Sequence, residues 1–117
     1  MSVYVDNAKH SFGRLLMCHM WADSREELFA MADRIGVQRK WFQRPAGLGV
    51  AGMDASWEHF DIAQSKRAMA VAAGAIETDK YGPVEHIARL AGNHKKLEQI
   101  ARCRAQGFGG GVPEAMP

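Results

Sequence analysis

One stretch of the chain offers no polar relief on either alternating set. In LLMCHMWA, residues 15–22, Leu16, Cys18, Met20 and Ala22 fall on one side and Leu15, Met17 and Trp21 on the other, with His19 as the strongly polar member. That pattern predicts a central strand covered on both faces. SVYVD, residues 2–6, alternates and is β-branched enough for a first strand ending at Asp6. NAKHSFGR between them reads as a loop or wide turn punctuated by Gly13. The period then becomes helical. DSREELFAMADRIG pairs Ser24 with Glu27 as a capping box, repeats Leu28, Met31, Ala32 and Ile35 along one face, and puts Gly36 where a C-terminal cap belongs.

Beyond this helix RKWFQ is a short strand candidate. Residues 44–58, RPAGLGVAGMDASWE, have no clear period and form a loop long enough to serve as a flap over a site or as a flexible insertion. HFDI finishes as a strand before the helix QSKRAMAVAAGA, whose Met69, Ala70, Ala73 and Ile76 are expected to face inward; IET is a possible last strand. Pro83 opens another helix with Val84, Ile87, Ala88 and Ala91 as its apolar stripe. HKKLEQIARCRAQ is a further helix using Leu97, Ile100 and Ala101, and GFGGGVPEAMP is expected to be a flexible tail. The expectation is one α/β domain over residues 1–106, a mixed sheet of three to five strands packed with helices, with a basic helical extension over 82–106 and a tail over 107–117.

Composition narrows the class. A chain of 117 residues, 47% of them hydrophobic, supports one core and has no room for a second. Its longest apolar stretch, Ala68 to Ile76, is less than half of the ~20 residues that a membrane-spanning helix needs. The first residues lack the order of a secretory signal and the Arg-rich character of a transit peptide, so the cytoplasm is expected. Cys18 and Cys103 are scattered and read as reduced thiols, Cys18 as a small core residue. The net charge of +2 is small but uneven: between His86 and Gln106 five cations stand against one acid. A basic C-terminal helix could attract a polyanion, although a solvated helix face is the plainer account.

Candidate chemistry gathers around residues 59–67. Lys66 and Arg67 fall in or near the first turn of a helix, where unpaired amides already carry positive potential and each cation costs roughly 0.3–1 kcal/mol. An anion docked there would reverse the sign, with Ser65, Lys66 and Arg67 as its ligands. The plainer account is that Asp61 and Glu58 neutralise the cations. His59 and Asp61 point the same way on an extended segment, which suits acid and base catalysis or metal ligation. His19 and Asp6 could complete the set if the sheet brings them close; His19, His59 and Asp61 are the metal candidates, for zinc, manganese or iron. His10, His86 and His94 read as surface residues without a role. No nucleophile motif or phosphate loop appears.

The succession VYVDNA, GRLLMCHMWAD, EELFAMADRIGV, WFQ and HFDIAQSKRAMAVAAGAIE resembles the small bacterial and bacteriophage proteins grouped as domain of unknown function 4031. The similarity runs from Val3 to Glu77, and HFDIAQSKRAMAVAAGA is its most specific part. The resemblance implies a phage, prophage or bacterial setting and transfers no reaction. The Gly-rich loop before Trp57 and the basic region after Tyr81 depart from it. Three functions are therefore compatible with the residues. One is binding of a nucleotide, nucleic acid or other phosphate-bearing ligand at the helix N-terminus. Another is a phosphoester hydrolase or nuclease using a divalent metal. The last is an interaction or self-assembling module built on Trp21, Trp41, Trp57 and Phe60.

Overall fold

Residues 2–107 are described by a computed structural model. They run as β1 (Val3–Val5), β2 (His10–Phe12), β3 (Leu15–Ala22), α1 (Arg25–Ile35), a 3-10 turn (Arg39–Trp41), β4 (Gln43–Arg44), β5 (Met53–Asp54), β6 (Phe60–Ala63), α2 (Gln64–Ala72), β7 (Ile76–Glu77), α3 (Gly82–Leu90) and α4 (His94–Ala105). The expected class is the observed one: a mixed five-stranded sheet with helices packed on it, plus a C-terminal helix. Residues 108–117 of the expected tail lie outside the described residues. Among the described residues no helix is long and apolar enough to cross a membrane.

The sheet is organised on β3. Met17 opposes both His10 of β2 and Ala63 of β6, while Met20 opposes both Val5 of β1 and Phe60 of β6. β1 and β2 therefore occupy successive stretches of one edge of β3, interrupted at residues 7–9, and β6 takes the other edge. β7 adds parallel to β1, with Tyr4 opposite Ile76. Because side chains alternate, the rows Val5–Met20–Phe60 and Cys18–Ile62 share one face. Leu28, Met31, Ala32 and Ile35 of α1 and Ala70 of α2 join them in the buried core. The other face carries Tyr4–Trp21, His19–Asp61 and His10–Met17–Ala63.

Local signals account for α1 in detail. The Ser24 hydroxyl accepts from the Glu27 N–H at 3.2 Å and donates to the Glu27 carboxylate at 2.9 Å, and Gly36 closes the helix at φ 80°. Elsewhere tertiary packing overrides the pattern. The expected loop NAKHSFGR contains β2, turned into β3 by the two-residue Gly13–Arg14 connection. α1 and α2 cover one face of β3, α3 covers only the Trp21 end of the other, and the first residues of the strand run past the core: Leu15 is 50% exposed. RKWFQ is a 3-10 turn followed by β4. The supposedly structureless stretch after it is wrapped around Arg44, whose guanidinium donates to the Val50 and Gly52 carbonyls and to Asp54. In α2, Ala70 is buried and Ala73 packs against the core, but Met69 and, beyond the helix, Ile76 are exposed.

α3 departs most from its apolar stripe. Val84, Ile87 and Ala91 are exposed, and the buried side is Gly82, His86 and Ala88. The cause is a close approach: a Cβ on Gly82 would lie 2.8 Å from the Trp21 indole, so the helix can sit against that ring only through a glycine. α4 docks on α3 through buried Ile100 and through Arg104, which donates to both Asp79 oxygens and to Glu85 at 2.8–2.9 Å.

The two first-turn cations of α2 find acceptors inside the chain. Lys66 Nζ donates to the Ile35 carbonyl at 2.8 Å, so it caps the negative end of α1. Arg67 Nε donates to the Asp6 carbonyl at 2.9 Å and its Nη1 to Glu77 at 3.0 Å. Neither pairs with Asp61 or Glu58, the expected internal partners; Glu58 holds Arg25 instead through two bonds. Replacing Lys66 by Met keeps the aliphatic stem and removes a charge-assisted bond, so we expect a loss of about 1–2 kcal/mol, read as a lower urea midpoint with unchanged m-value.

The Arg104 clamp makes a pH-dependent prediction. Burial pushes the Asp79 carboxyl up, but the Arg104 bonds and the Tyr81 N–H more than offset it and hold it below its ordinary 3.8. A depressed carboxyl contributes stability that is present above the ordinary value and lost as pH falls through the folded one. Acidification below about pH 4 should therefore lower the urea midpoint more steeply in the native chain than in Asp79→Asn. Parallel curves would contradict the clamp.

Candidate functional site

The open face of the sheet gathers four of the expected site residues. His19 and Asp61 are direct cross-strand partners, so their side chains emerge together. His59 precedes Asp61 by two residues and shares its face. Asp6 closes β1 beside His19: the Asp6 N–H donates to the His19 carbonyl, while the Asp6 carboxylate accepts from the His19 N–H at 2.9 Å. A side chain thus takes a ladder position that a backbone carbonyl would normally hold. The same carboxylate accepts from the His19 ring, Oδ2 to Nδ1, at 2.6 Å, and from the Ala8 N–H at 3.3 Å.

These bonds fix the rings. Asp6 is 2% exposed, and burial pushes its carboxyl up, yet the His19 ring and the two N–H donors outweigh burial and hold it below the usual range. Its hydrogen bond raises the His19 pKa against the opposing effect of burial. With the Nδ1 proton committed to Asp6, His19 presents Nε2 to Asp61 Oδ1 at 3.9 Å. His59 is held in the same way: its Nδ1 lies 3.1 Å from the Trp57 carbonyl, which can only accept, so Nδ1 carries the proton. His59 Nε2 then faces Asp61 Oδ1 at 3.5 Å.

Asp61 is where these groups converge. Its Oδ2 accepts from Gln43 Nε2 at 2.9 Å and lies 3.8 Å from His10 Nε2, whereas Oδ1 is enclosed without a hydrogen-bond partner. Burial pushes its carboxyl up, but His59, Gln43 and the nearby His19 bring it down to about 2. An ionised oxygen and the lone pair of a neutral ring nitrogen repel at this range. Positive charge must lie between them, as a second proton on the imidazole or as a cation. Ligand atoms of His10, His19 and Asp61 all lie within 4.8 Å of one another, and that donor set suits a transition-metal ion.

Rings wall the cluster. Trp57 stacks on His59 at 4.2 Å and 15°, and His19 contacts the rings of both His10 and His59. His86 packs against Trp21 and Trp57, where burial and then Arg89 lower its pKa.

Sequence reasoning placed Asp6, His19, His59 and Asp61 together and missed His10, Gln43, Trp57 and His86. His86 is not the surface residue expected, being 8% exposed, whereas His10 keeps a 39% exposed side chain but faces Asp61 and so acquires a place in the cluster. A Gly-X pair between two short runs is a signal for a two-residue hairpin, and it could have put His10 on a strand. Nothing local marks Gln43 or His86. Ser65, Lys66 and Arg67 do not join the cluster. Ser65 is exposed, Lys66 reaches α1 on the covered side of the sheet, and Arg67 touches Asp6 through its backbone carbonyl. Cys18 is fully buried, with its thiol pushed up to about 12 mainly by burial, and serves as core.

Fold and site together describe a small α/β domain with a histidine–aspartate cluster on the face of its sheet opposite α1 and α2. Residues 3–90 match the family described as protein of unknown function (DUF4031), and the chain belongs to that family. The match takes in the glycine-rich segment and α3 as well as the part ending at Glu77. No curated protein and no solved structure matches the chain.

The Asp6 contacts make a prediction of their own. Asp6→Asn turns an acceptor into an amide facing N–H donors, and we expect a loss of about 1–3 kcal/mol. The His19 titration midpoint, followed by NMR, should fall in the same variant; an unchanged midpoint would remove Asp6 as the cause of the shift.

Proposed function

We propose that the chain is a metal-dependent hydrolase in which His10, His19 and Asp61 hold one divalent transition-metal ion. The observation that carries this reading is the gathering of His10, His19 and Asp61 ligand atoms within 4.8 Å of one another, with the enclosed, unpartnered Asp61 Oδ1 facing the His19 Nε2 whose ring partner nitrogen is already committed to Asp6. Two imidazoles and a carboxylate leave coordination positions for water and substrate. Asp6 behind His19 supplies the outer carboxylate that orients a metal-bound imidazole and raises its basicity. The ion would lower the pKa of bound water and polarise the bond to be cleaved. His59, 3.5 Å from Asp61 and fixed by the Trp57 carbonyl, is the base positioned to take the proton from that water.

The alternative in which Lys66 and Arg67 cradle a phosphate has less support, because both already donate to acceptors within the chain. A phosphoester therefore remains a substrate class for the metal reading rather than a ligand of the α2 N-terminus.

Metal analysis of protein purified without an affinity tag, followed by zinc and manganese titration, tests the proposal. One ion per chain is expected. Asp61→Ala and His19→Ala should abolish stoichiometric binding, and Asp6→Asn should weaken it about 10- to 100-fold. Binding by Asp61→Ala with native affinity would overturn the site.

A further inference from the structure

His10 and Asp61 have a second role, as the polar rim of a cleft of about 400 Å³ beside the cluster. Its remaining wall is chiefly Phe12, Leu15, Met17, Val37, Trp41 and Met53. Four of these, Phe12 at 68%, Leu15 at 50%, Trp41 at 48% and Met53 at 46%, are among the most exposed large apolar residues described. The hairpin, the turn before β4 and the segment around β5 come from separate parts of the chain, yet all turn apolar side chains toward this one concavity. The volume falls within the range of small-molecule sites and is lined as such sites are, mostly by apolar groups with a few convergent polar ones.

The lining also selects by charge. Among the described residues no lysine or arginine faces the cleft, and its one formal charge is the Asp61 carboxylate. Apart from the ion that Asp61 would hold at the rim, a polyphosphate or a nucleic-acid backbone would give up hydration along the cleft walls with no counter-charge to replace it. A neutral apolar group meets no such penalty and removes Trp41, Phe12 and Met53 from water.

We infer that this cleft binds the uncharged apolar arm, an aryl or short alkyl group, of a small substrate whose reacting group rests against His10 and Asp61. The inference takes the position of the reacting group from the metal-site reading; occupancy of the cleft by an apolar group is independent of it.

Two measurements separate these dependencies. In metal-free protein, 2-naphthol should shift the NMR methyl signals of Met17 and Met53 and spare Met20, which is buried on the other face. In zinc-loaded protein, benzohydroxamate should bind about tenfold or more tightly than acetohydroxamate, since the phenyl group adds buried apolar area to a common zinc-binding head. Phe12→Ala with Trp41→Ala, both at exposed positions, should erase that difference and keep zinc stoichiometry. Methyl shifts without zinc binding would sustain the cleft and refute the metal site. Zinc binding with equal hydroxamate affinities and unmoved methyls would refute the cleft and sustain the metal site. A dimer in light scattering whose Met17 and Met53 methyls are shielded from 2-naphthol would make this surface a contact between copies and overturn the inference.

Discussion

One buried carboxylate ties the sheet to its candidate chemistry. Asp6 ends β1 where the strand leaves the β3 edge, and its side chain satisfies the His19 N–H that the departing backbone abandons. A buried N–H without an acceptor is costly, so this bond permits the interruption at residues 7–9. The interruption in turn lets the chain rejoin β3 at His10, on the same face as His19 and Asp61. The second oxygen of Asp6 fixes the His19 ring, and its carbonyl receives Arg67 from α2. Strand geometry, imidazole orientation and helix docking thus meet at one residue.

This arrangement explains two cations where a helix N-terminus disfavours them. The cost at the α2 dipole is a fraction of a kcal/mol each, smaller than a charge-assisted hydrogen bond to a buried carbonyl. Lys66 also sits at the negative end of α1, so the same charge that is misplaced on its own helix is well placed on the neighbouring one. Gly36 makes room for it: a Cβ there would lie 3.2 Å from Lys66 Nζ, and the φ of 80° already favours glycine. Lys66 therefore joins α2 to α1, and Arg67 joins α2 to the sheet.

The division of the sheet into a covered and an uncovered face sets where chemistry can occur. α1 and α2 bury the Val5–Met20–Phe60 face, leaving the opposite rows to Trp57, α3 and partial solvent access. Partial burial strengthens electrostatic interactions without excluding small molecules, and at Asp61 it produces an ionised group with one enclosed, unpaired oxygen. The apolar cleft adjoins this point because β3 and the hairpin extend past the helices and carry Leu15 and Phe12 with them.

Much of this was legible in the residues, where the deciding interactions are local. The caps of α1, the extent of β3 and the strand–helix passage through HFDIAQSKRA follow from alternation, capping chemistry and glycine, all of which act within a few residues. Side-chain alternation also put His59 and Asp61 on one face. Tertiary structure alone decided that α1 and α2 cover one side of β3 while α3 covers only its Trp21 end on the other, that α3 turns His86 inward because Gly82 admits that ring, and that Lys66 and Arg67 serve distant carbonyls. It also brought His10 and Gln43 to Asp61. Those outcomes depend on which surfaces meet across 18 to 61 positions of chain, and local periodicity carries no information about contacts at that separation.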